Sequence, residues 1–196
     1  MEARKLENYT YEDFLQIDRT TPETERLELI DGVIYMMAGA SAEHQDAVLN
    51  IATFLKSLEE KRDCKTRIAP YDLKLECRGR IEVVQPDVML FCEGSEIPCL
   101  VVEVLSPSTA AKDKGPKKEL YEACGIREYC LVDLNERIVD LYRLQDGWYR
   151  YVRGYGEEES FHLECLDADL AVAGVFEGIE KRLEREETGS EDVTIL

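Results

Sequence analysis

The sequence predicts a single α/β domain, and three observations carry that prediction. Short apolar runs of strand length alternate with three helical segments, Asp-Gly and other Gly-containing pairs punctuate them at turn spacing, and two runs are apolar enough to be buried strands. At 196 residues and 44% hydrophobic content the chain can bury one sizeable core. The domain is expected over residues 1–175, with a charged C-terminal tail over 176–196.

Each element follows from a local signal. Thr10 and Asp13 form a capping-box pattern that opens a short helix over Tyr11–Ile17. Asp31-Gly32 lies between Leu27-Glu28-Leu29-Ile30 and Val33-Ile34-Tyr35-Met36, a type I′ turn signal that makes Arg26–Met37 a hairpin. Ser41 can cap a long helix reaching about Arg62, with Val48, Ile51, Ala52, Leu55 and Leu58 on one face. Strands are expected at about 64–77, 81–92 and 99–105, separated by Arg78-Gly79 and Glu93-Gly94. After Ser106-Pro107-Ser108-Thr109 a helix is expected over about 112–124, with Pro116 in its first turn and Gly125 as a left-handed cap. Tyr129–Leu134 reads as a strand, and 138–144 and 148–155 as a pair joined across Asp146-Gly147. Past Gly156 the pattern is mixed, and Glu180–Asp192 reads as a frayed or disordered tail.

Composition narrows the function classes. The N-terminus carries no signal-like apolar stretch and no run reaches membrane length, so a soluble cytoplasmic protein is expected. Seven cysteines without a Cys-x-x-Cys pair or a zinc spacing read as reduced core thiols. The net charge of −18 argues against a simple phosphate-binding surface, yet residues 157–196 hold thirteen Asp and Glu against three Lys and Arg. More than half of the excess is therefore confined to the last fifth of the chain. The main cationic run, Lys112, Lys114, Lys117 and Lys118, follows the second buried strand, where it softens the local field. Absence of a Gly-x-x-x-x-Gly-Lys loop and of Gly-x-Gly-x-x-Gly argues against a nucleotide-driven motor or a dinucleotide enzyme.

Asp87, in Val-Val-Gln-Pro-Asp-Val-Met-Leu, and Glu103, in Cys-Leu-Val-Val-Glu-Val-Leu-Ser, are the most informative residues. An ionised acid inside an apolar strand is costly unless it is paired, hydrogen-bonded or bound to a cation. Two on neighbouring strands are best explained by a shared divalent metal. Oxygen ligands from Asp87 and Glu103, with a backbone carbonyl near Val104, suit Mg2+ or Mn2+ better than zinc.

The order of hairpin, helix, three strands, helix and strand, with Pro86-Asp87 and Glu103 on successive strands, resembles the PD-(D/E)xK restriction-endonuclease-like superfamily. More narrowly, Leu27-Glu28-Leu29-Ile30-Asp31-Gly32, His44, Pro86-Asp87, Val102-Glu103-Val104-Leu105-Ser106-Pro107-Ser108-Thr109, Asp113, Lys117, Tyr121, Gly125-Ile126-Arg127-Glu128-Tyr129 and Leu131-Val132-Asp133 are similar to the Uma-type endonuclease family. The likeness spans residues 10 to about 155. It implies a restriction-endonuclease-like fold, a central mixed sheet flanked by helices with an N-terminal hairpin, and metal-dependent hydrolysis of DNA.

The superfamily pattern asks for a lysine two residues after the glutamate, where this chain has Leu105. The Uma-type pattern offers Lys117 instead, with Asp113 and Tyr121 four residues to either side and so on one helical face. By the same resemblance Glu28 supports the metal or adds a ligand, and His44 contacts phosphate or a ligand water. His162 lies outside the likeness. A homodimer is expected, with Trp148, Tyr149, Tyr151 and Tyr155 as an aromatic interface. The opposing expectation is a catalytically inactive acidic homodimeric interaction protein that keeps the nuclease fold; a third is a metal-dependent enzyme acting on another phosphate ester.

Overall fold

Two prolines decide how the strands are distributed. The expected strands at 64–77 and 81–92 each break in two, near Pro70 and Pro86, because proline has no N–H for the ladder. The computed structural model describes residues 8–180 apart from positions 23 and 38, with only the backbone at 60 and 61. Its early elements are α1 (Tyr11–Asp18), the hairpin β1 (Leu27–Ile30) and β2 (Val33–Met36), and α2 (Ala42–Arg62). The central run holds β3 (Cys64–Ile68), β4 (Leu73–Cys77), β5 (Arg80–Val84), β6 (Val88–Cys92) and β7 (Leu100–Val104). Then come α3 (Ala110–Lys112), a π-helical segment (Asp113–Lys117), α4 (Lys118–Ala123), β8 (Glu128–Asp133), β9 (Ile138–Gln145) and β10 (Trp148–Gly156). The pair β11 (Ser160–Leu163) and β12 (Ala168–Ala171) and the short α5 (Val172–Val175) resolve the mixed segment after Gly156.

The central sheet has six strands in the order β10-β9-β8-β7-β6-β3, antiparallel except for β7 and β8. It is therefore mixed, and the helical crossover from β7 to β8 is what a parallel neighbour requires. A second sheet, β2-β1-β5-β4, is antiparallel throughout. The chain passes from one sheet to the other at Gln85-Pro86-Asp87, between β5 and β6.

Local chemistry explains the element boundaries. Thr10 and Asp13 exchange cap hydrogen bonds at the start of α1. Asp31 and Gly32 adopt φ of 48° and 73°, the paired positive values of a type I′ turn. Ser41 Oγ accepts from the His44 N–H at 3.2 Å, so the helix cap also fixes where His44 begins its turn. One face of the central sheet packs against Ala47, Val48, Ile51 and Leu55 of α2 and against the β11–β12 and α5 region. The other face meets α4 and the second sheet through Val101, Met89, Tyr121, Tyr129, Leu73 and Leu75.

Three expectations need correction. The helix after Thr109 begins at Ala110, and Pro116 lies within the π segment rather than in a first turn. Widening to i→i+5 accommodates a residue that cannot donate and whose ring crowds the preceding turn. The cysteines are not all reduced thiols: Cys64 pairs with Cys92 and Cys77 with Cys124, while Cys99, Cys130 and Cys165 are free. Cys64 and Cys92 become partners only through the β3–β6 register, which sequence spacing does not reveal. Finally, Tyr149 and Tyr155 serve the domain's own packing, whereas Trp148 and Tyr151 are exposed at 64% and 55%. Phe176 and Ile179 still pack against the core. The tail from 181 onward lies outside the described residues. Among the described residues no helix is long and apolar enough to cross a membrane.

Candidate active site

The C-terminal end of β7 faces a cleft of about 650 Å³ whose lining includes His44, Asp87, Glu103, Lys112, Asp113 and Lys117. Its position follows from topology. In the β6–β7 register Val88 faces Val102, so one step further Asp87 comes opposite Glu103. Asp87 Oδ2 accepts from the Val104 N–H at 2.7 Å, which seats the carboxylate over the end of β7. His44 Nε2, from the first turn of α2, lies 3.2 Å from the same oxygen. The Val104 main chain therefore meets Asp87 through its N–H, while His44 Nδ1 is buried without a hydrogen-bond partner.

Lys117 is the hub. Its ammonium is buried and lies 2.9 Å from Glu103 Oε1, 2.9 Å from Glu28 Oε1 and 3.7 Å from Asp113 Oδ1. Tyr121 donates to Glu103 Oε1 at 2.7 Å, and Tyr129 donates to the Asp113 carbonyl at 2.9 Å. Glu28 also receives the Gln85 N–H at 2.9 Å and pairs with Lys112. Lys117 thus points at Glu103 with Asp113 beside it, while Tyr121 bonds Glu103 rather than Lys117 itself.

Charges in this pocket are unbalanced. Asp87, Glu103, Asp113 and Glu28 outnumber the ammonium groups of Lys112 and Lys117 by four to two, so the pocket favours either a proton on one of the acids or an added cation. Burial, with Asp113, Asp87 and Glu28 nearby, pushes Glu103 up to about 8 against the opposing pull of Lys117. Burial likewise raises Asp113 despite Lys117. For Lys117 burial favours the neutral amine, but Glu103, Glu28 and Asp113 overcome it and hold the ammonium charged. Glu28 is also penalised by burial, yet Lys117, Lys112 and the Gln85 N–H keep it below its ordinary range. Burial lowers His44, and its bond to Asp87 more than reverses this.

A hard divalent cation fits the donor chemistry, since it would meet two carboxylates, a main-chain carbonyl and the charge deficit. Asp113 Oδ1 is buried without a hydrogen-bond partner, as is Gln85 Oε1, and both residues line the cleft. Among the described residues, however, no three Asp, Glu, His or Cys side chains are already gathered for metal ligation. Residues beyond Asp87 and Glu103 would have to adjust, or water and phosphate oxygens would complete the shell.

Nothing local in the sequence marks Lys112 or Gln85 as part of this site. Lys112 stands five residues before Lys117, the hydrogen-bond span of the π segment it leads into, and both ammonium groups reach Glu28. Ordinary helical spacing hides that relation; Pro116 was the available signal. His162 stays apart, exposed beside Asp169 and Asp167.

The Uma2 family, described as "Putative restriction endonuclease", matches residues 11–173. The chain belongs to the Uma2 family. The Uma2 match includes Glu28, His44, Asp87, Glu103, Asp113 and Lys117. An uncharacterized protein of Synechocystis sp., slr1290, is 30% identical over 177 residues, covering 86% of this chain and 91% of its own. A second, sll1609, is 33% identical over 135 residues, covering 63% and 74%. The crystal structure of a putative nuclease belonging to DUF820 from Anabaena variabilis aligns with TM-score 0.67 at 18% identity, over 86% of this chain and 97% of that one. That likeness establishes a shared mixed α/β fold with the Uma2 chain.

Proposed function

We propose that this chain is an endonuclease of restriction-endonuclease-like fold that hydrolyses DNA phosphodiester bonds with Mg2+ or Mn2+. The observation that carries the reading is the Lys117 ammonium at 2.9 Å from Glu103, which supplies from the helix the charge that Leu105 cannot supply from the strand. Membership of a family described as "Putative restriction endonuclease" supports the same class.

Asp87 and Glu103, with the Val104 carbonyl, would hold the cation. When bound, that ion polarises a phosphoryl oxygen and makes a ligated water more acidic. Lys117 then steadies the attacking water or the charge growing on phosphorus, and Glu28 keeps its ammonium from turning away. His44 orients the Asp87 carboxylate through the 3.2 Å contact. Lys112 supplies a second positive charge at the cleft wall, where a phosphate would otherwise meet mostly acids.

The deciding experiment is cleavage of mixed DNA and RNA substrates with Mg2+, Mn2+ or chelator. Asp87→Asn should lower the cation-dependent rate by about 10²-fold or more. Lys117→Met should remove cleavage while leaving Mn2+ binding measurable, whereas Lys118→Ala should change little, since the Lys118 ammonium lies 4.3 Å from the centre of the Tyr142 ring. Leu105→Lys in the Lys117→Met background should restore part of the rate. Cleavage unaffected by Asp87→Asn would remove the assignment, and a wild-type protein that binds no divalent cation would favour the non-catalytic interaction protein.

A further inference from the structure

Away from the cleft, four cysteines converge where β3, β6, the entry to β7 and the β11–β12 turn meet. Cys64 and Cys92 are bonded across the β3–β6 register. The free thiol of Cys99 lies 3.5 Å from Cys92 Sγ. The Cys165 carbonyl stands 4.0 Å from the same sulfur, and the Cys165 side chain is among the groups that lower the Cys99 thiol. Cys92 and Cys99 are 7% and 6% exposed, while Cys165 is partly open to solvent.

We propose that Cys64, Cys92 and Cys99 form an internal thiol–disulfide exchange centre, in which the Cys99 thiolate displaces Cys64 from Cys92. Cys99 gives its proton to water, and its sulfur bonds to Cys92 Sγ as the Cys92–Cys64 bond breaks. The electron pair of that bond leaves on Cys64 Sγ, which then takes a proton from water. One disulfide is consumed and one is formed, so neither oxidant nor reductant is required.

The surroundings favour each part of this step. The Cys165 side chain lowers the Cys99 thiol, burial opposes, and the Arg127 guanidinium assists. Once released and protonated, Cys64 has an acceptor ready in the Arg62 carbonyl at 3.3 Å. Exchange moves the covalent link from the β3–β6 pair to the β6–β7 connection, the pair of strands whose far ends carry Asp87 and Glu103.

The test uses the full chain, oxidised as purified, incubated at about pH 8 with limiting iodoacetamide, acid-quenched and mapped by mass spectrometry without reduction. A linked Cys92–Cys99 peptide should accumulate together with alkylated Cys64. Cys99→Ser should lower Cys64 labelling about tenfold or more, because no attacking sulfur remains. Cys165→Ser should slow the exchange without changing its products. Labelling confined to Cys99, with Cys64–Cys92 intact, would overturn the proposal. So would four free thiols at these positions with stoichiometric zinc.

Discussion

Lys117 carries a burden that few lysines do, since its ammonium is buried among three carboxylates and has lost nearly all of its water. Removing one partner of such a cluster leaves the others uncompensated, so Lys117→Met should cost about 3–5 kcal/mol in chemical unfolding. Glu28→Gln in the same background should recover part of that loss. Glu103 gives a separate prediction. In the folded protein it titrates near 8 against 4.5 ordinarily, so between those values the native state keeps a proton that the unfolded chain has released. Its contribution to stability therefore falls as pH rises from about 4.5 to about 8, and Glu103→Gln should flatten that slope in urea titrations at constant ionic strength. A wild-type slope that Glu103→Gln does not change would place the strain elsewhere. Asp87 and Glu103 were legible in the sequence because acids in apolar runs are conspicuous. Lys112 was not, because its partner Glu28 is 84 residues away and its helical phase depends on the π turns.

Elements were read best where the signal is local. The Asp31-Gly32 hairpin, the Ser41 cap and the Gly125 stop each depend on a few adjacent residues, and each stands where expected. Breaks at Pro70 and Pro86 were missed because apolar content continues on both sides of each proline, while the change of sheet is a tertiary event. The π segment offers its own test. Replacing an interior proline by alanine ordinarily favours a helix by about 3 kcal/mol. Pro116→Ala should stabilise far less than that and should weaken cleavage, because a regular helix would rotate Lys112 away from Glu28. A stability gain of full size with unchanged cleavage would mean that the wide turns have no part in the site.

At the scale of the molecule, net charge and cation binding are linked. A divalent ion that binds only the folded cleft raises stability by RT ln(1 + c/Kd), with c its free concentration, a gain that keeps growing with ion concentration above Kd. The rise in Tm with millimolar Mn2+ should be larger at pH 8.5 than at pH 5.5, where Glu103 holds its proton, and Asp87→Asn should abolish the difference. Assembly is a further expectation at this scale: Trp148 and Tyr151 stand exposed on β10, an edge strand of the six-stranded sheet among the described residues. Light scattering should give a dimer that Trp148→Glu dissociates, and a monomeric wild type at micromolar concentration would reject it.

The lysine that bridges the sheets has a mechanical meaning as well. Glu28 belongs to the smaller sheet and Glu103 to the larger, and one ammonium is bonded to both. Parting the sheets at this edge would strip a desolvated ion from a carboxylate, a motion far stiffer than sliding apolar surfaces past each other. The relative placement of the two sheets is thus fixed by charge as well as by apolar packing.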